Sequence, residues 1–165
     1  MSHPKIAELK NAWLYQQVDV QFPTKESLVG LELYKQAAAE CQYQLYQPSE
    51  AHETAFSPDE LFLVDFHRLT VMFALLQANR WSKPQDQEMI VEFLTQIIYS
   101  EPCSLYLGFK EGEAVAAAIV TQVDSTALIS DVVCKESTNQ ALFVDSLVAK
   151  LMPNVKQELE LFIEK

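Results

Sequence analysis

The residues of this chain whose placement invites a chemical reading cluster between positions 131 and 139. Cys134 ends an apolar run, where a thiol could act as a nucleophile. Attack needs a thiolate and hence a base, and no histidine is near it in sequence, so the thiol reads as packing. Lys135 precedes Ser137, Thr138 and Asn139, which look like the start of a helix. An ammonium beside unpaired backbone N–H groups is the chemistry of an anion site, against which stands simple pairing with Glu136 or solvation. Asp131, taken alone, reads as a surface acid late in a strand. His67 lies between Phe66 and Arg68 in a helical pattern, as a proton relay or a hydrogen-bonded core residue, and Asp65 would face another side of the helix. Cys41, Cys103 and Cys134 are too far apart for a CxxC pair, and His3, His52 and His67 have no HxxxH or HxH spacing. Free buried thiols and no metal site are expected.

The elements that must position these residues centre on three consecutive strands, residues 104–109, 114–123 and 126–134. They are separated by Lys110-Glu111-Gly112-Glu113 and by Asp124-Ser125. The first alternates through Leu105, Leu107 and Phe109. The second contains AVAAAIV, apolar on both sides, as expected of a central strand covered on both faces. Helices must supply those covers. One is expected over residues 4–17, with Ile6, Leu9 and Trp13 inward. A second starts at a Thr24 cap and has Leu28, Leu31, Ala38 and Cys41 as its stripe. A short strand over 42–47 and a polar loop over 49–56 follow. Ser57-Pro58-Asp59-Glu60 combines a cap, an N1 proline and a capping-box acid, and so predicts a helix over 57–80 that is apolar on nearly all sides and packs on the sheet. Pro84 opens another helix, ended by Glu101-Pro102. After the strands, Ser137, Thr138 or Asn139 caps a helix through Met152. Residues 158–165 then alternate as a half-exposed strand, parallel to the third if it joins that edge.

At 165 residues and 49% hydrophobic, the chain can form a single domain over residues 1–165 with a sizeable core. No apolar run reaches the length of a membrane span and the N-terminus lacks a signal-peptide core, which predicts a soluble cytoplasmic protein. The net charge of −11 is evenly spread, with four basic and nine acidic groups in the first 60 residues and eight and fourteen in the rest. A surface of that sign repels phosphate backbones and anionic lipid, so neither nucleic acid nor membrane is the expected partner. The two N-terminal apolar stripes must be covered, by this domain's own sheet, by a second copy in a homodimer, or by another protein.

Strand 42–47, two helices, a meander, a helix and a final strand give the order β-α-α-β-β-β-α-β. That order, and the run EMIVEFLTQIIYSEPCSLYLGFKEGEAVAAAIV in particular, resembles the GCN5-related N-acetyltransferase (GNAT) superfamily, with residues 1–41 as an added segment. The resemblance implies an α+β fold, a mixed and mostly antiparallel sheet with helices on both faces. It also implies an acyl-CoA-dependent N-acyltransferase ancestry, with acetyl-CoA or another acyl-CoA as cofactor. By the same resemblance Asp131 would be the base that deprotonates the amine. Val132 and Val133 would lend backbone to the pantetheine arm, and Lys135, Ser137, Thr138 and Asn139 would hold the pyrophosphate. The family's glycine-rich helix entry is replaced here by CKESTNQALFVDSL, with no glycine after Gly112 and with Leu142 and Val144 at the two small positions. Side chains there fill phosphate space. The expectation is therefore a GNAT-like domain with weak or lost transfer activity. The alternatives are a non-catalytic protein-binding or regulatory module, or an α+β protein holding a small ligand.

Overall fold

The computed structural model describes residues 3–48, 56–98, 100–136, 139–152 and 159–165. Its elements are α1 (Lys5–Gln16), α2 (Lys25–Ala39), β1 (Tyr43–Leu45), β2 (Leu61–Leu63), α3 (His67–Ala78), α4 (Pro84–Leu94), β3 (Cys103–Lys110), β4 (Glu113–Val123), β5 (Thr126–Cys134), α5 (Gln140–Leu151) and β6 (Glu160–Glu164). The fold is α+β: a six-stranded mixed sheet in the order β1-β6-β5-β4-β3-β2, with only β5 and β6 parallel. No helix among the described residues is long and apolar enough to cross a membrane.

The meander forms as its sequence predicts. Glu111 and Gly112 at the first turn, and Asp124 at the second, take the positive φ that tight hairpins need. In β4, Ala117 and Ile119 join a core with Phe73 of α3 and Phe93 of α4, while Ala116, Ala118 and Val120 join Phe143, Val144 and Leu147 of α5. Helices therefore cover both faces. Thr24 caps α2 by accepting the Ser27 N–H at 3.1 Å.

Three expectations are corrected. The strong start at Ser57 does not open a long helix: Ser57 N–H donates to Glu60 Oε1 at 3.0 Å, but only a single 3-10 turn follows, and Leu61–Leu63 then pairs with β3. Leu61 enters the core and Phe62 turns out to meet the Phe109 ring edge-on, so the two-sided apolar pattern came from a strand followed by a helix. Strand β1 pairs with β6 at the far edge, and β2 comes between it and the two helices, so the β-α-α-β-β-β-α-β order starts at β2 and not at β1. Finally, Ile6, Trp13 and Ala38 of the predicted stripes are buried, but the inward faces of α1 and α2 are rotated from the rest, since Leu9 and Leu28 are exposed while Lys10, Ser27, Gly30 and Tyr34 are buried.

The rotation of α2 has a cause in Gly30. A Cβ there would lie 2.1 Å from the Met89 carbonyl oxygen and 2.7 Å from Phe93 Cβ, so only glycine lets α2 approach α4 this closely. Gly112 has positive φ but open space around a Cβ. Chemical denaturation is expected to rank the two alanine variants accordingly: about 3 kcal/mol lost for Gly30→Ala through overpacking, against about 1 kcal/mol for Gly112→Ala through backbone strain alone. An equal or reversed ranking would contradict the close helix crossing.

Candidate functional site

Strands β5 and β6 run parallel from Thr126↔Glu160 to Ile129↔Ile163, and then part. Just beyond, β5 carries a bulge: Ala117 pairs with Val133 and Ile119 with Ser130, so Asp131 and Val132 stand opposite Ala118 alone. Asp131 adopts a φ of 55°, which an L-residue holds only if its surroundings enforce it. The bulge also resets the alternation, which is why Leu128 and Val133, five positions apart, both face the α1–α4 side.

The enforcement comes from side chains on four other elements. The Asp131 N–H donates to Glu164 Oε1 at 3.1 Å, and its carbonyl accepts from Gln77 Nε2 at 2.5 Å. Its carboxylate is saturated by four donors: Tyr34 hydroxyl at 2.5 Å and Arg80 Nη1 at 3.0 Å on Oδ1, Ser130 hydroxyl at 2.7 Å and Lys10 Nζ at 3.0 Å on Oδ2. Lys10, fully buried, also lies 3.6 Å from Glu164 Oε2, which accepts the Tyr43 hydroxyl at 2.9 Å. Two cations and two anions thus balance in one buried cluster.

Burial alone would raise the Asp131 carboxyl, but Lys10 and Arg80, with the Tyr34 and Ser130 hydroxyls, outweigh it and hold the group well below the usual carboxylate range. For Lys10 burial works toward neutrality, and Asp131 and Glu164 override it, keeping the ammonium above its ordinary value. Burial, then the Asp131 charge, pushes the Tyr34 phenol far up, so it stays protonated, donating to Asp131 and accepting from Lys10 Nζ at 2.7 Å. Burial likewise pushes the thiols of Cys41 and Cys103 to about 11 and that of Cys134 to about 12. All three thiols are protonated at neutral pH and are inert as nucleophiles.

Above this cluster, where β5 and β6 separate, lies a cleft of about 440 Å³. Its apolar walls are Val132, Ala141, Val144 and Ile163; Arg80, Asp131 and Glu164 line it as well, and Tyr46 and Asp145 are joined by a hydroxyl–carboxylate bond of 2.7 Å. The placement at the C-terminal ends of adjacent parallel strands is a usual one for ligands in sheets with such a pair.

Of the residues singled out from sequence, Asp131 and Val132 line this cleft. Val133 is a core residue, and Lys135 pairs with Glu113 on the surface. Asn139 is the N-cap residue of α5 and donates from Nδ2 to Glu136 Oε2 at 3.3 Å. Ser137 and Thr138 lie outside the described residues. At the start of α5 it is Ala141 and Val144, not Leu142, that face the cleft. Asp131 is not the surface acid its position suggested, being 3% exposed. Lys10, Tyr34, Arg80 and Glu164 went unseen, although Lys10 sits between Ile6 and Trp13 on the buried stripe of α1, a signal that was there to be used. No protein-family model and no curated protein matches this chain.

The cluster sets the pH response of the fold. Asp131 is depressed in the folded state, so its stabilisation is present above its unfolded value of about 4 and is lost as pH falls toward the folded one. Lys10 is raised, so its share is present below about 10.4 and is lost as pH rises past that point. Unfolding experiments across pH should show this plateau in the wild type. Lys10→Met should lose about 3–5 kcal/mol at neutral pH by leaving Arg80 as the sole cation against the Asp131 and Glu164 carboxylates in the cluster. A loss under about 1 kcal/mol would mean the ion cluster contributes little.

Proposed function

We propose that this chain is a GNAT-like domain whose acyl-transfer activity is lost and whose cleft serves to bind a small ligand. The observation that carries the proposal is the saturation of Asp131. Aminolysis of an acyl thioester requires that the attacking amine lose a proton, and a group accepting it must be free and basic near neutral pH. Asp131, with its four donors, is neither. Glu164, the other carboxylate at this point, is engaged by Lys10, Tyr43 and the Asp131 N–H.

The element order from β2 to β6 supports the acyltransferase-like reading of the architecture. The residues around the cleft do not fit the cofactor's phosphates. The α5 side of the cleft carries Val144 and the acid Asp145, and Lys135, the cation expected to hold phosphate, is paired with Glu113. What remains suits a smaller and less charged molecule, with apolar walls and a few fixed polar groups. The docking of Lys10 and Trp13 into the domain supports self-covering of α1, in preference to a homodimer or protein-partner role for that stripe.

Calorimetric titration of the full chain with acetyl-CoA should give a Kd above ~0.1 mM, about −5.5 kcal/mol or weaker. Release of free thiol from acetyl-CoA in the presence of small amine acceptors should stay at background. Low-micromolar binding together with turnover would overturn the proposal and restore a transferase.

A further inference from the structure

We infer that the ligand of this cleft is a small monocarboxylate with a short apolar body, recognised through Arg80. The inference rests on the cleft-binding reading above and deepens it.

Arg80 follows α3, and its guanidinium is held rigidly. Its Nη1 donates to Asp131 Oδ1 and to Gln77 Oε1, both at 3.0 Å, and its plane lies over the Trp81 ring at 5.0 Å and near the Tyr34 ring at 5.9 Å. The side chain is 23% exposed and lines the cleft. Its Nε and Nη2 meet no acceptor among the described residues. A fixed guanidinium with N–H groups left over is prepared for an incoming carboxylate, and its rigidity removes most of the ordering cost of binding.

The acids around it are in the opposite condition. Asp131, Glu164 and Asp145 each already accept protein donors, so an ammonium ligand would have to displace bonds that the fold makes. Lys165, at the same cleft, forms no ion pair among the described residues and adds a second cation. A doubly charged phosphate is disfavoured by the Asp145 carboxylate on the α5 wall, whereas a single carboxylate can take the remaining Arg80 N–H groups, with Lys165 offsetting its one charge. Val132, Ala141, Val144 and Ile163 leave an apolar space for the rest of the molecule.

The test is a titration of the full chain, followed by amide chemical shifts, with hexanoate, hexanamide and hexylamine in parallel. Hexanoate should saturate, with shifts near Val132 and Ala141, and should bind at least ~10-fold more tightly than the isosteric amide and the amine. Arg80→Gln should abolish the preference for acid over amide. Because that change also removes a partner of Asp131, Ala141→Trp provides a second variant: it fills the cleft from an exposed position on α5, leaves Arg80 intact, and should weaken hexanoate ~10-fold or more. Equal binding of acid and amide, preference for the amine, no saturation by ~10 mM hexanoate, or a folded variant of either kind that binds as wild type would each overturn the inference. Those results leave the loss of acyl transfer standing, because thiol release from acetyl-CoA tests that separately. Transfer activity with selective hexanoate binding would sink the functional proposal alone.

Discussion

A lysine ammonium with no solvent access must be compensated where it lies, and the architecture of this protein depends on how Lys10 is compensated. Desolvating such a charge costs several kcal/mol, which is offset only when opposite charges and hydrogen-bond acceptors surround it closely. Asp131 at 3.0 Å, Glu164 at 3.6 Å and the Tyr34 hydroxyl at 2.7 Å do so here. Those partners come from β5, β6 and α2, and Arg80 from the end of α3 completes the balance. One cluster thereby fixes the relative placement of five elements, which apolar contacts alone would leave more tolerant of sliding.

The same cluster explains the local geometry of β5. A bulge with a left-handed aspartate would ordinarily relax, since it leaves the Asp131 N–H and carbonyl without strand partners. Glu164 and Gln77 take those two groups, so β5 is held in the bent form. The bend carries β5 away from β6 and opens the cleft. Strand divergence, bulge and cleft are therefore consequences of one satisfied polar network, and Arg80 faces the cleft because Asp131 and Gln77 anchor its other edge.

What was legible in the sequence follows from the range of the interactions involved. The hairpins, the Thr24 cap and the two-sided apolar β4 are local signals, and they formed as read. The last strand was legible from its alternation, and its parallel pairing with β5 from the α5 crossover that joins the two. Residues 57–80 misled because a capping box is equally compatible with one turn, and the competitor that converts Leu61–Leu63 into a strand, β3, lies about forty residues further on. Lys10 was passed over because a charge on a helix is ordinarily solvated. Its partner Asp131 is 121 residues away. Asp131 carries no glycine or proline to announce a bulge, so its burial could not be seen from a period of two.

The N-terminal segment thus cannot be an appendage to an otherwise complete domain. Without α1, Asp131 and Glu164 would lose the ammonium that offsets both. Without α2, the shortest hydrogen bond to the Asp131 carboxylate, from Tyr34, would go as well. Ile6 and Ala7 pack on Leu128 of β5, and the side chain of Gln17 accepts the Ile98 N–H at 3.1 Å, so apolar and polar contacts both tie α1 to the sheet layer. A carboxylate recruited to hold this segment in place is, by the same four donors, removed from proton transfer. Structural anchoring and general-base chemistry make opposite demands on the basicity of Asp131, and the distances around it satisfy the first.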